Sequence, residues 1–155
     1  MSEVSPIHFY FSRGEHGYLS NFAPYHINLD GRDWPTVEHF YQAQKFTDPD
    51  YRKLICDARA PSRAARLGRA RPALVRVDWA DVKESVMHRA LRAKFTQHPE
   101  LAGRLLSTGN ARLVEHTKLD SYWADGGNGS GLNRLGVLLE QIREELRGGR
   151  AGGTA

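Results

Sequence analysis

Residues 34–46, Trp-Pro-Thr-Val-Glu-His-Phe-Tyr-Gln-Ala-Gln-Lys-Phe, set ionisable and polar side chains at helical spacing directly behind a helix start. Pro35 suits the turn entering a helix. Thr36 can accept a backbone N–H two or three positions on, so the helix is expected to begin at Val37. At 100° per residue, Glu38, Tyr41, Gln42 and Lys45 share one face, and Val37, Phe40 and Ala43 the opposite one. One face packs, while the other lines up a carboxylate, a phenol, an amide and an amine, groups suited to proton transfer. The ordinary reading of such a stripe is a solvated helix face. Glu38 and Lys45 are too far apart, roughly 10 Å along the axis, for a direct i,i+4 pair, and charged residues are usually exposed. Two features favour a site. Phe40 and Tyr41 are more aromatic than a surface helix needs, and Ser20, Asn21, Phe22 and Trp34 supply polar and stacking groups close by in sequence.

A second candidate runs from Leu119 to Gly136, where Asp120, Trp123 and Asp125 precede a glycine-rich loop that feeds a helix through Asn133. Gly127, Gly129 and Gly131 allow close backbone approach to a ligand, and N–H groups at a helix start can receive a phosphate or a sugar oxygen. As a dinucleotide fingerprint the stretch is weak, lacking the preceding strand and the following acid. Its ordinary reading is a flexible loop. Arg59, Arg63, Arg66, Arg69, Arg71 and Arg76 follow one another with no acid among them. That block favours an anionic partner, phosphorylated small molecule or nucleic acid, against the plain alternative of a wet basic surface. Asn110 and Trp79 are further candidates for lining a pocket.

Other chemistries are set aside. There is no His-Glu-x-x-His pair, no metal-ligand triplet at sequence spacing, no Gly-x-Ser-x-Gly elbow and no Gly-Lys-Ser/Thr phosphate loop. No metal or cofactor is therefore expected, and His39, His88, His98 and His116 are read as packed or surface residues. Cys56 is the single cysteine, which excludes an internal disulfide and fits a small core residue. The 155 residues are 40% hydrophobic and 26% charged with net charge +4, an ordinary globular composition for one domain. No apolar run approaches the roughly 20 residues that span a bilayer, and no charged-then-apolar leader opens the chain. No membrane association and a cytoplasmic location are the expectations; the oligomeric state is not legible.

These elements must be positioned by short strands and several helices. Ile7–Phe11 and Tyr25–Leu29 read as strands, with Asp30-Gly31 as a turn. Pro49–Ala58 reads as a short helix with Tyr51, Leu54 and Ile55 inward, and Ser62 as the cap of another ending near Gly68. Asp81–Phe95 carries an apolar stripe, Val82, Val86, Met87, Ala90, Leu91 and Phe95, behind an Asp81/Glu84 capping box. Pro99–Leu106 reads as a helix, Arg112–Glu115 as a strand and Leu132–Leu146 as a long terminal helix. A disordered tail is expected over 148–155.

With these blocks in view, the chain resembles the NADAR (YbiA-like) family. The resemblance lies in Tyr18–Phe22, Trp34–Phe46, Arg76–Trp79, Met87–Phe95, Thr108-Gly109 with Leu113–Glu115, and Asp120–Gly136, an ordered match over about residues 7–146. Family patterns often have glycine where Ala124 stands. The resemblance implies a compact, mainly helical α+β single domain with a small β-sheet, over residues 1–147. It also implies an N-glycosidase that hydrolyses the bond between ribose C1 and an exocyclic amine. Two substrate classes are implied: ribosylamino-pyrimidine phosphates of riboflavin biosynthesis, and ADP-ribose on the amino group of guanine in nucleic acid.

Cleaving such a bond needs positive charge at C1 stabilised and the departing nitrogen protonated. On this reading Glu38 is the acid/base, and Lys45 either attacks C1 of the opened sugar or binds phosphate. Asp120 and Asp125 would hold ribose hydroxyls or a water, and Trp79 and Trp123 would stack on a base. Arg13, Ser20, Asn21 and Arg76 would meet phosphate or the base edge, with Phe22, Tyr41, Gln42, Gly127 and Asn133 completing the substrate contacts. The alternative from another class is a non-catalytic module that binds ADP-ribose or nucleic acid through the arginine block, with binding that weakens steeply in salt.

Overall fold

In the computed structural model, which describes residues 3–152, the element order is β1 (Ile7–Phe9), β2 (Ile27–Leu29), β3 (Arg32–Trp34), α1 (Val37–Ala43), α2 (Pro49–Cys56), α3 (Pro61–Ala70), α4 (Trp79–Gln97), α5 (Pro99–Ser107), β4 (Leu113–Glu115) and α6 (Arg134–Gly152). Short strands among longer helices make this an α+β fold, as the sequence implies. The strands form two separate pairs rather than one sheet. No helix among the described residues is long and apolar enough to cross a membrane.

Backbone contacts divide the chain into two units, Met1–Ser20 with His98–Ala155, and Asn21–Gln97. In the first unit β1 and β4 pair in parallel, with His8 opposite Val114. Helix α6 buries Leu135, Leu138, Leu139 and Ile142, the stripe expected of the terminal helix. It reaches Gly152, so the tail expected from 148 begins as helix; residues 153–155 lie outside the described residues.

In the second unit β2 and β3 form a hairpin. Its turn residues Asp30 and Gly31 both have positive φ, 54° and 74°, as a two-residue type I′ turn requires. β3 was not legible as a strand: three residues carry too little alternation. Thr36 caps α1 by accepting the His39 N–H at 3.2 Å, as its position predicts. Helix α3 departs from expectation. It starts at Pro61 behind Ala60, which makes no side-chain cap, because the fixed φ of proline suits the first helical position and Ser62 falls inside the helix. Helix α4 likewise begins two residues before Asp81, and the Asp81 and Val82 N–H groups donate to the Asp78 carbonyl. In α2, Tyr51, Ile55 and Cys56 are buried, while Leu54 is 46% exposed. The apolar stripe of α4 also takes in Lys94, which is 1% exposed with its ammonium near the Tyr25 and Phe95 rings. Spacing from Ala90 and Leu91 places residue 94 on that stripe, but its charge argues for the surface.

Candidate active site

Every residue of α1 is buried, including Glu38 at 8%, Tyr41 at 7% and Gln42 at 6% exposure. The solvated-face reading of this helix is therefore excluded. A helix buried all round with a carboxylate on it needs local partners, because a buried charge is costly unless hydrogen-bonded. Gln42 supplies one: its Nε2 donates to Glu38 Oε1 at 2.7 Å. The Glu38 N–H donates to the Asn21 carbonyl at 3.2 Å, tying the Ser-Asn-Phe segment to the helix. Asn21 Nδ2 contacts Met87 Sδ at 3.5 Å, while Asn21 Oδ1 is buried and has no partner among the described residues.

Gly68 of α3 is what lets Gln42 sit there. A Cβ at position 68 would lie 1.9 Å from Gln42 Oε1, 2.7 Å from its Cδ and 3.1 Å from its Cβ. Gly68→Ala is expected to push Gln42 off Glu38. Alanine gains roughly 1 kcal/mol of helix propensity, but overpacking costs about 1–3 kcal/mol, and a misplaced acid/base group costs up to about 10²-fold in rate. A kcat reduced at unchanged circular dichroism is the expected measurement; wild-type kcat would show that Gln42 does not orient Glu38.

Lys45 follows α1, and its carbonyl accepts the Arg76 N–H at 2.8 Å. Its ammonium lies 5.8 Å from the Tyr41 ring centroid and forms no hydrogen bond or ion pair among the described residues. Burial lowers its pKa from 10.5. Glu38 opposes that shift, and the positive charges of Arg69 and Lys83 reinforce it. A lysine held this way yields a free amine more readily than a surface one. Trp79 packs against Tyr41 at 5.1 Å between ring centroids. Arg76 is engaged elsewhere: its Nε and one terminal nitrogen donate to the two Asp78 oxygens at 2.6 and 2.9 Å. That pairing holds the Asp78 carboxyl below its ordinary range. Phe22 is 39% exposed.

The glycine-rich segment, in the first unit, is wired internally. Asp120 Oδ1 accepts the Tyr122 and Trp123 N–H groups, both at 2.8 Å. Asp125 is 5% exposed; its Oδ1 accepts from the Thr117 N–H at 3.1 Å and the Gly127 N–H at 2.8 Å, and its Oδ2 from His116 Nδ1 at 2.7 Å. Burial pushes this carboxyl up, yet the hydrogen bonds from His116, Gly127 and Thr117 outweigh it and lower the pKa. Gly127 has φ +86°, and a Cβ there would meet Lys118 at 2.9 Å. The first amides of α6 do not face outward to receive a phosphate: Arg134 and Leu135 donate to the Tyr122 and Trp123 carbonyls at 3.0 and 3.1 Å. Asn133 is likewise committed, its Oδ1 accepting from the Glu115 N–H and its Nδ2 donating to the Leu113 carbonyl. These side chains shape the loop.

Ser20 is buried at the end of a 3₁₀ turn, and Arg13 is exposed above the Phe11 ring. Asn110 is exposed beside Thr108, whose hydroxyl accepts from the buried Arg143 at 2.8 Å. Arg143 is not marked in the sequence, and Gly68, expected only as the end of a helix, lies inside α3; nothing in their local spacing marks a buried arginine or a required glycine. His39 is packed, as expected. Its Nδ1 accepts from the Thr36 hydroxyl and its Nε2 donates to the Ala58 carbonyl, and burial keeps its pKa low.

The fold and this buried helix belong to a recognised class of domain. The sequence model of the NADAR domain matches residues 8–147, and the chain belongs to the NADAR domain family. It is 54% identical over 140 residues to the N-glycosidase YbiA of Escherichia coli (strain K12), covering 90% of this chain and 88% of that one. It is 43% identical to an N-glycosidase of Nostoc punctiforme, with 91% and 92% covered. Identity to a longer riboflavin biosynthesis protein of Vibrio vulnificus is 44%, covering 92% of this chain and 39% of that protein. The NMR structure of the E. coli protein YbiA superposes with a TM-score of 0.89 at 50% identity, covering 97% of this chain and 90% of that one.

Proposed function

We propose that this chain is a hydrolase of N-glycosyl bonds whose substrate carries ribose C1 on an exocyclic amine, with Glu38 and Lys45 as its catalytic residues. The observation that carries the reading is the burial of α1 with its carboxylate hydrogen-bonded and a lysine of lowered pKa at its end. Once the sugar ring opens, C1 is doubly bonded to the departing amine. Lys45 Nζ adds to C1, and Glu38 passes a proton to the leaving nitrogen. The amine departs, and water hydrolyses the lysine Schiff base to free ribose and free lysine. The net reaction consumes one water.

Tyr41 and Trp79 form an aromatic surface on which a base can stack. Asn21 Oδ1, buried and unsatisfied, accepts a hydrogen bond from a substrate N–H or hydroxyl. Gln42 orients Glu38. Phe22 and Arg76 are supporting contacts in the same unit. In the first unit, Asp120, Asp125, Gly127 and Asn133 keep their loop in shape.

Ribosylamino-pyrimidine phosphates are the first substrate class we assign, since relatives are named for riboflavin biosynthesis. One observation favours the second class, ADP-ribosylated guanine in nucleic acid. Arg59, Arg63, Arg66 and Arg69 are exposed and form no ion pair among the described residues, a surface suited to a phosphate backbone. Mass spectrometry of the protein mixed with each substrate under borohydride tests both points. Release of ribose 5-phosphate or of ADP-ribose selects the class. A reduced sugar adduct on wild-type protein, missing from Lys45→Ala, is expected. Turnover with no adduct would leave Lys45 as a phosphate ligand only.

A further inference from the structure

We propose that His8, His116 and Asp125 form a binding site for a divalent transition cation of the zinc type in the first unit. The sequence shows no such set, because His8 is far along the chain from His116 and Asp125, which are themselves nine residues apart with no metal-motif spacing. The parallel register of β1 and β4 brings them together. His8 lies opposite Val114, and the strand pairing continues one residue beyond β4 as the His116 N–H donates to the Phe9 carbonyl at 2.8 Å. The two imidazoles meet edge to face at 5.3 Å between centroids. One ligand atom from each of the three residues lies within 4.8 Å of the other two.

Two imidazoles and a carboxylate form a donor set for zinc, nickel or copper, with a fourth position left for water. Tetrahedral bonds near 2.0–2.1 Å would space the ligand atoms at roughly 3.4 Å, so the His116–Asp125 contact at 2.7 Å opens slightly and the remaining spacings, within 4.8 Å, draw in. His8 and His116 are exposed, which provides both an entry path and the side-chain freedom for that movement. Asp125 is the fixed member. Its Oδ1 is held by the Thr117 and Gly127 amides, which leaves Oδ2 directed at His116. Orientation of a ligating group by hydrogen bonds of this kind is what metal sites use. Oδ2 lies 2.7 Å from His116 Nδ1, so a single proton bridges the two. On binding, the cation takes the place of that proton, which moves to Nε2. Bound there, it clamps β1 to the start of the glycine-rich segment.

The test is isothermal titration of the tag-free full chain with zinc chloride, alongside His8→Ala, His116→Ala and His26→Ala. His26 is the control because it forms another exposed histidine–aspartate contact, 2.6 Å from Asp33. The expected result is one zinc per chain, with affinity reduced at least about tenfold in His8→Ala and His116→Ala and unchanged in His26→Ala. The exposed position of His8 leaves the fold of its variant intact, so that variant decides the matter if His116→Ala does not fold. Zinc affinity unchanged in His8→Ala, loss confined to His26→Ala, or no saturable uptake by the wild-type chain would each overturn the site.

Discussion

Glu38→Gln is expected to lower turnover of a ribosylamine substrate by about 10²–10⁴-fold, the usual contribution of a positioned acid/base group. Glutamine keeps the size of the side chain and an oxygen able to accept the Gln42 Nε2–H, which now donates to Glu38 at 2.7 Å. The fold should therefore survive, and circular dichroism should match the wild type. Glu38 also raises the pKa of Lys45 against the effect of burial, so removing its charge frees the Lys45 amine at lower pH. The two roles thus separate. If Glu38 served only to hold Lys45 protonated, the variant would keep or gain rate at neutral pH. If it transfers the proton, kcat falls across the pH range with KM little changed. Full kcat in Glu38→Gln would end the acid/base assignment.

Gly136→Ala is expected to destabilise the protein by about 3 kcal/mol, the largest stability change we foresee. A Cβ there would lie 1.8 Å from the Leu113 carbonyl oxygen and 2.4 and 2.7 Å from the Asn133 amide. The nearest obstacle is backbone in a strand paired with β1, so no side-chain rotation relieves it. Overpacking costs about 1–3 kcal/mol. Displacing the Asn133 amide from Leu113 and Glu115 leaves buried polar groups unpaired at about 1–3 kcal/mol more. The helix propensity gained by alanine returns only about 1 kcal/mol. Against a typical total of about 5–15 kcal/mol, that shift is plain in a urea unfolding midpoint. Gly149→Ala is the control, since nothing lies within 4 Å of its Cβ position. A Gly136→Ala midpoint equal to the control's would refute the packing argument.

Where a signal is local, the chain announces it. Thr36 at a helix start, Asp30-Gly31 in a hairpin and the stripe Val86, Met87, Ala90, Leu91 all depend on neighbours within four residues, and each appears in the structure. The blocks around Glu38 and Asp120 are also contiguous, which is why the family could be read from them. Short-range reasoning failed where the same local pattern permits two outcomes. A wet helix face and a buried one share the spacing of Glu38, Tyr41 and Gln42, and a capping serine at 62 competes with a proline one residue earlier.

By itself, then, the sequence determined most helix positions and the chemistry available on α1, because these follow from backbone propensity and periodicity, and the α+β class came through the family resemblance its blocks carry. Only the tertiary structure decided that α1 is buried on every side and that Gly68 makes room for Gln42. It also spent the loop amides within the protein and brought His8 to His116 and Asp125. Those outcomes depend on which segments pack together across long stretches of chain, and on steric fits below 3 Å that no spacing rule encodes.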